Sequence, residues 1–131
     1  MAEKNEGLKA EARLLKRLQG LPENYRPVRV AASGAMVHKK ADLKSDFTLI
    51  ENKQTAAASF SLKRSIIEKI EREASEAGGR TPLLTIQMGQ RDTDECRVVV
   101  MQERHYIELM DEIESWKQEN FKMVEELQNG S

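Results

Sequence analysis

Apolar residues recur near the start of the chain at helical spacing. Leu8, Glu11, Leu15 and Leu18 fall three and four apart, with Ala12 and Leu14 beside them. That pattern predicts an amphipathic helix over about residues 4–19, which Gly20 and Pro22 end. Val28-Arg29-Val30-Ala31 then alternates as a strand does, and Ser33-Gly34 marks a turn. A weaker strand signal sits around Ala41-Asp42-Leu43, and the best one covers residues 47–55, rich in β-branched and apolar side chains. The small residues 56–59 lead into a second helix. Its expected buried stripe is Leu62, Ile66, Ile67, Ile70, Ala74 and Ala77, with Ser59 or Ser61 as N-cap and Gly78-Gly79 as stop. Strands are expected at residues 83–88 and 96–101, and a long helix at about 103–128. Tyr106, Leu109, Met110, Ile113, Trp116 and Met123 are among the apolar positions of that last helix.

The predicted order is helix, three strands, helix, two strands, helix, with no internal repeat and no low-complexity linker. The simplest architecture for it is one mixed sheet with helices packed on its faces, of the α/β (α+β) class. The whole chain, residues 1–131, fits one domain. A hydrophobic fraction of 39% and a charged fraction of 33% suit a globular protein with a well-solvated surface. No apolar run approaches the roughly 20 residues of a membrane span, and the first six residues lack the apolar core of a secretory signal. Cys96 is the single cysteine, which excludes an internal disulfide and a cysteine-built zinc site; the cytoplasm is the default location.

A net charge of -1 argues at first against a nucleic-acid partner. The two parts of the chain differ, however. Residues 1–70 carry 14 basic against 8 acidic side chains, whereas residues 71–131 carry 7 against 14. This asymmetry is compatible with a basic face on an otherwise acidic protein, and equally with two differently solvated parts.

Four ionisable residues stand where packing alone would put apolar ones. Glu51 and Lys53 are two apart on the best strand, so both project from one face, behind Phe47 and Leu49. A half-buried carboxylate and ammonium are costly unless they pair or bind something. Asp42 lies upstream, where a hairpin arm would bring it beside Glu51, and Glu11 interrupts the apolar stripe of the first helix. Taken singly, a Glu-x-Lys pair on a strand is a surface ion pair worth little, and a glutamate on a helical stripe sits at its edge. Their order along the chain, with a turn between them, favours the functional reading.

That order resembles the PD-(D/E)XK nuclease superfamily, and within it the archaeal and phage Holliday junction resolvases. The stretch from Gly7 to Leu15, with Glu11 inside it, is similar to the family's glycine-then-glutamate helix, and Ser33-Gly34-Ala35 to its serine-glycine turn. Ala41-Asp42 stands where the family has glycine-aspartate, and Ile50-Glu51-Asn52-Lys53 resembles its glutamate-x-lysine strand. The resemblance covers about residues 5–101. Ala41 in place of glycine, Asn52 in place of a more apolar residue, and the C-terminal helix depart from the pattern.

The resemblance implies a restriction-endonuclease-like αβββαβ core with a central mixed five-stranded sheet, extended here by the long C-terminal helix. It implies a metal-dependent endodeoxyribonuclease acting on branched DNA. Asp42 and Glu51 would be ligands of Mg²⁺, with Mn²⁺ as substitute, and the Asn52 backbone carbonyl a third. Glu11 would ligate directly or through water, and Lys53 would orient the attacking water and offset phosphate charge. Arg26, Arg29, His38, Lys39 and Lys40 would offer phosphate contacts, and Ser33 would hold the scissile phosphate or cap its own turn. Symmetric junction cleavage requires two facing sites, so a homodimer is the expected assembly, in the cytoplasm, or the host cytoplasm for a phage-encoded chain. The alternatives are a nicking or repair endonuclease of the same fold on simpler DNA, and a DNA-binding or structural protein without catalysis.

Overall fold

The computed structural model describes residues 2–30, 41–90 and 95–130, with side chains of the first helix from Glu6 onward. Helix α1 (Ala2–Arg17) runs into two short 3-10 turns, Leu18–Gly20 and Glu23–Tyr25. Strands β1 (Val28–Arg29), β2 (Leu43–Lys44) and β3 (Thr48–Thr55) follow, then helix α2 (Arg64–Glu76) and strands β4 (Thr81–Met88) and β5 (Cys96–Val100). A long helix, α3 (Glu103–Asn129), closes the chain. The protein is thus α+β, with a mixed five-stranded sheet in the order β1-β2-β3-β4-β5. The chain divides into two compact units, Met1–Val100 and Met101–Ser131. Among the described residues no helix is long and apolar enough to cross a membrane.

All strand pairs are antiparallel except β3 with β4, which run parallel across the α2 crossover. Antiparallel neighbours need only a tight turn, and Ser45 makes the one before β3. Its amide donates to the Thr48 carbonyl at 3.0 Å, its Oγ accepts the Thr48 amide at 3.0 Å, and the two hydroxyls lie 2.5 Å apart. These bonds close the β2–β3 hairpin with the register Leu43↔Ile50 and so bring Asp42 towards Glu51.

Strand alternation divides the core between two faces. On one, Leu43 and Ile50 pack with Leu14, Leu15 and Leu18 of the α1 region, and with Leu83. On the other, Leu49 packs with Ala41 and with Ala74 and Ala77 at the end of α2. The α2 stop forms as its glycines suggest: Gly78 and Gly79 take φ angles of 82° and 75°, the left-handed region that glycine enters without steric cost. The amides of Gly79 and Arg80 both bond the Ala74 carbonyl, at 3.1 Å each, which satisfies a helix-end acceptor.

Several expectations are corrected. Helix α2 starts at Arg64, after an extended Lys63 that makes no side-chain cap. Neither Ser59 nor Ser61 is the N-cap, and Leu62 precedes the helix and stays exposed. Residues 59–63 remain outside the helix although Ser59 and Ser61 could cap an earlier start, and the helix begins instead after Lys63. The buried line of α2 is Ile70, Glu73 and Ala74. On α1 the buried side chains are Ala10, Glu11 and Leu14, while Leu8 and Ala12 face solvent. Phe47 does not lead an apolar row into Glu51: it is exposed in the turn, its ring 5.3 Å from that of Tyr25.

Candidate active site

Glu51 and Lys53 lie in the middle of β3 and share the face that α2 covers, because Leu49, two residues before Glu51, packs on Ala74. The Lys53 Nζ lies 3.2 Å from the Glu51 Oε1. The Glu51 side chain is 16% exposed and that of Lys53 37%, so the carboxylate is the more desolvated partner. Burial pushes the Glu51 carboxyl above its ordinary range, and the neighbouring Asp42 carboxylate pushes it further, while Lys53 and Lys69 hold it back. The structure therefore brings Asp42, Glu51 and Lys53 together, as the hairpin spacing suggests.

Asp42 is held by the strand itself. Its amide donates to the Ile50 carbonyl at 3.0 Å, its carbonyl accepts the Val30 amide at 3.1 Å, and its Oδ2 accepts the Asn52 amide at 2.7 Å. The last bond replaces a rung of the ladder: just before β2 begins at Leu43, a side-chain oxygen takes the amide that a strand carbonyl would otherwise hold. An extended residue directs its N–H and C=O to the same edge. The Asn52 carbonyl consequently faces the edge on which Asp42 stands.

The opposite face carries a polar network that the sequence reading did not single out. The Asn52 Oδ1 accepts from Thr85 Oγ1 at 2.8 Å and from Gln87 Nε2 at 3.0 Å, and Gln87 Nε2 also reaches the Ala10 carbonyl of α1 at 3.3 Å. Gln87 is 1% exposed. This network ties the middle of β3 to β4 and to α1, and so stiffens the strand that presents Glu51 and Lys53. Its signal in the sequence is alternation: Thr85 and Gln87 are polar residues two apart in the largely apolar stretch 83–88, on the face of Asn52. Lys69 was likewise not singled out. It borders the α2 stripe one residue before Ile70, acts electrostatically on Glu51, and lies 3.8 Å from Glu73.

Glu11 is buried, as its place in the α1 stripe implies, and lies 3.5 Å from Arg29 Nε. It stands with Leu14 and Ala10 on the Asn52 face of the sheet, whereas Glu51 projects from the α2 face. Arg29 is occupied by this pair, and Arg26 donates to the Leu21 carbonyl at 2.8 Å while remaining exposed. Ser33, His38, Lys39 and Lys40 lie outside the described residues. Among the described residues no group of three or more His, Cys, Asp or Glu side chains converges on one point.

Two carboxylates in mutual repulsion, one of them desolvated, are relieved by a hard cation, so the donor chemistry of Asp42 and Glu51 suits one. Mg²⁺ takes one or two carboxylates and keeps several waters. A third acidic side chain is therefore unnecessary, and the Asn52 carbonyl is a further hard oxygen on the Asp42 edge. No family model, curated protein or solved structure matches the chain.

Proposed function

We propose that the protein is a metal-dependent endonuclease of the PD-(D/E)XK type, acting on branched DNA in the manner of a Holliday junction resolvase. The observation that carries the reading is the Asp42–Glu51 pair with Lys53 3.2 Å from Glu51, built on the β2–β3 hairpin whose register sets the two carboxylates side by side. The element order adds support. Helix, three antiparallel strands, crossover helix and a parallel strand follow one another as an αβββαβ core requires.

In this reading Asp42 and Glu51 hold Mg²⁺ or Mn²⁺, with the Asn52 carbonyl as a further oxygen. The ion supplies Lewis acidity for phosphodiester hydrolysis. The chain's own groups do the rest. Asp42 is oriented by the Asn52 amide, so its remaining lone pairs keep one direction. Lys53 Nζ offsets negative charge on the phosphate and donates to the attacking water. Lys69 adds a second positive charge on the same side. Glu11, paired with Arg29 on the other face, acts in this scheme as a buried support of α1 against β1. A DNA-binding protein of the same architecture without catalysis is the competing reading.

The test is a cleavage assay on a four-way junction, a flap and linear duplex, each with Mg²⁺, Mn²⁺ or chelator, for the parent and Asp42→Asn. The expected result is cation-dependent cutting, strongest on the junction, that Asp42→Asn abolishes. Preference for flap or duplex would select the nicking or repair alternative. DNA binding without cutting under every condition would overturn the nuclease reading.

A further inference from the structure

Helix α3 leaves an apolar face in solvent. It is 27 residues long, about 40 Å at helical rise, with Tyr106 at 53%, Trp116 at 65%, Met123 at 59% and Leu127 at 76% exposure. Most of a helix's stability in a protein comes from packing its apolar face on another surface. The spacing identifies what that surface is. From Tyr106 a seam of positions, apolar at all but Asn120, advances in alternate steps of three and four, a period of 3.5 that keeps one face towards a partner helix over the whole length.

In heptad terms the a positions are Tyr106, Ile113, Asn120 and Leu127, and the d positions are Leu109, Trp116 and Met123. Asn120 is the sole polar residue in the seam, at an a position, where a buried asparagine pairs with its own copy and fixes register at some cost in stability. The flanking charges select the orientation. Glu112, Glu119 and Glu126 occupy all three g positions within these heptads, and Lys117 lies at the e position following Glu112. In an antiparallel pair g faces g, which sets glutamate against glutamate. In a parallel pair Glu112 of one copy faces Lys117 of the other, twice by symmetry. Ile107 and Phe121 fall at b positions, off the seam.

We infer that α3 is a dimerisation helix whose partner is a second copy of this chain, joined in register as a parallel two-stranded coiled coil. The pairing does not depend on the nuclease reading. Where both hold, parallel strands start the two copies from the same end, as two-site cleavage of one junction needs.

The experiment uses the full chain. Sedimentation velocity over a wide concentration range is expected to give a dimer. In a Cys96→Ser background, Leu127→Cys is expected to form an interchain disulfide under mild oxidation, because equal positions meet only in a parallel register. Lys117→Glu should weaken the dimer about fivefold through two like-charge contacts, and adding Glu112→Lys should restore it. Trp116→Glu with Met123→Glu should give a monomer that keeps the strand signal of the parent's circular dichroism; loss of that signal would transfer the decision to the charge pair, which leaves the seam intact. A parent that stays monomeric, a trimer, a dimer that does not cross-link at position 127, or a charge reversal that fails to rescue would each overturn the inference.

Discussion

Asp42 does two jobs that substitution can separate. Its Oδ2 accepts the part-buried Asn52 amide at 2.7 Å, and its charge pushes the Glu51 carboxyl up. Asp42→Ala removes both. A hydrogen bond to a charged acceptor is worth about 1.5–3 kcal/mol, and the lost repulsion with Glu51 returns part of that, so the net destabilisation is roughly 1–2 kcal/mol. Asp42→Asn keeps an acceptor oxygen for the amide while removing the charge, and should stay within about 0.5 kcal/mol of the parent. Both variants lose a cation ligand. Even outer-shell changes cost metal sites about 10–100-fold, so cleavage should fall on the order of 100-fold or more in each. The measurement is urea unfolding in chelator at neutral pH beside a Mn²⁺ titration of junction cleavage. If Asp42→Asn unfolds as easily as Asp42→Ala, the amide bond is not what holds the hairpin end. If Asp42→Asn cuts at the parent rate, the site lies elsewhere.

The remaining predictions concern neighbours of that pair. Because the Glu51 carboxyl is raised from its ordinary 4.5, its charge destabilises the folded state above the raised value and costs nothing below the ordinary one. Glu51→Gln should therefore be the more stable protein at neutral pH, with the gap closing as pH falls towards 4.5. It should also lose cleavage while holding or gaining DNA affinity. A parent that out-stabilises the variant at neutral pH in thermal melts would contradict the burial argument. Gln87→Ala removes two buried hydrogen bonds and most of a fully buried side chain, and should cost roughly 2–4 kcal/mol in urea unfolding. A loss below about 1 kcal/mol would show that the network does not stiffen β3. At Gly79 an added Cβ meets nothing within 4 Å, so Gly79→Ala should cost only the left-handed φ of 75°, roughly 1–2 kcal/mol; no measurable change would mean that the α2 stop relaxes freely.

Much of this was legible along the chain, for reasons that differ by element. Periods of two and of three to four located β3, β4, β5, α1 and α3 to within a few residues, since each must bury a side of itself and the period follows from backbone geometry. The start of α2 was not legible. Leu62 continues the apolar period and Ser61 stands before it as a possible cap, yet the chain is extended at Lys63. The association of Asp42, Glu51 and Lys53 was readable because hairpin pairing and strand alternation are local rules. The side on which Glu11 falls was not, because that depends on which face of the sheet α1 covers.

The sequence by itself determined the element order, the α+β class, the glycine stop after α2, the charged pair on β3 and the apolar positions of α3. Each of these follows from spacing within a short window. Only the tertiary structure decided the rest. It set Glu11 beside Arg29 on the face opposite Glu51, drew Lys69 into the field of Glu51, and joined Thr85, β3 and α1 through the side-chain amides of Asn52 and Gln87. Those contacts join residues distant in the chain. They arise from the parallel β3–β4 register and from which helix covers which face, and the energies that settle such choices come from packing across the sheet.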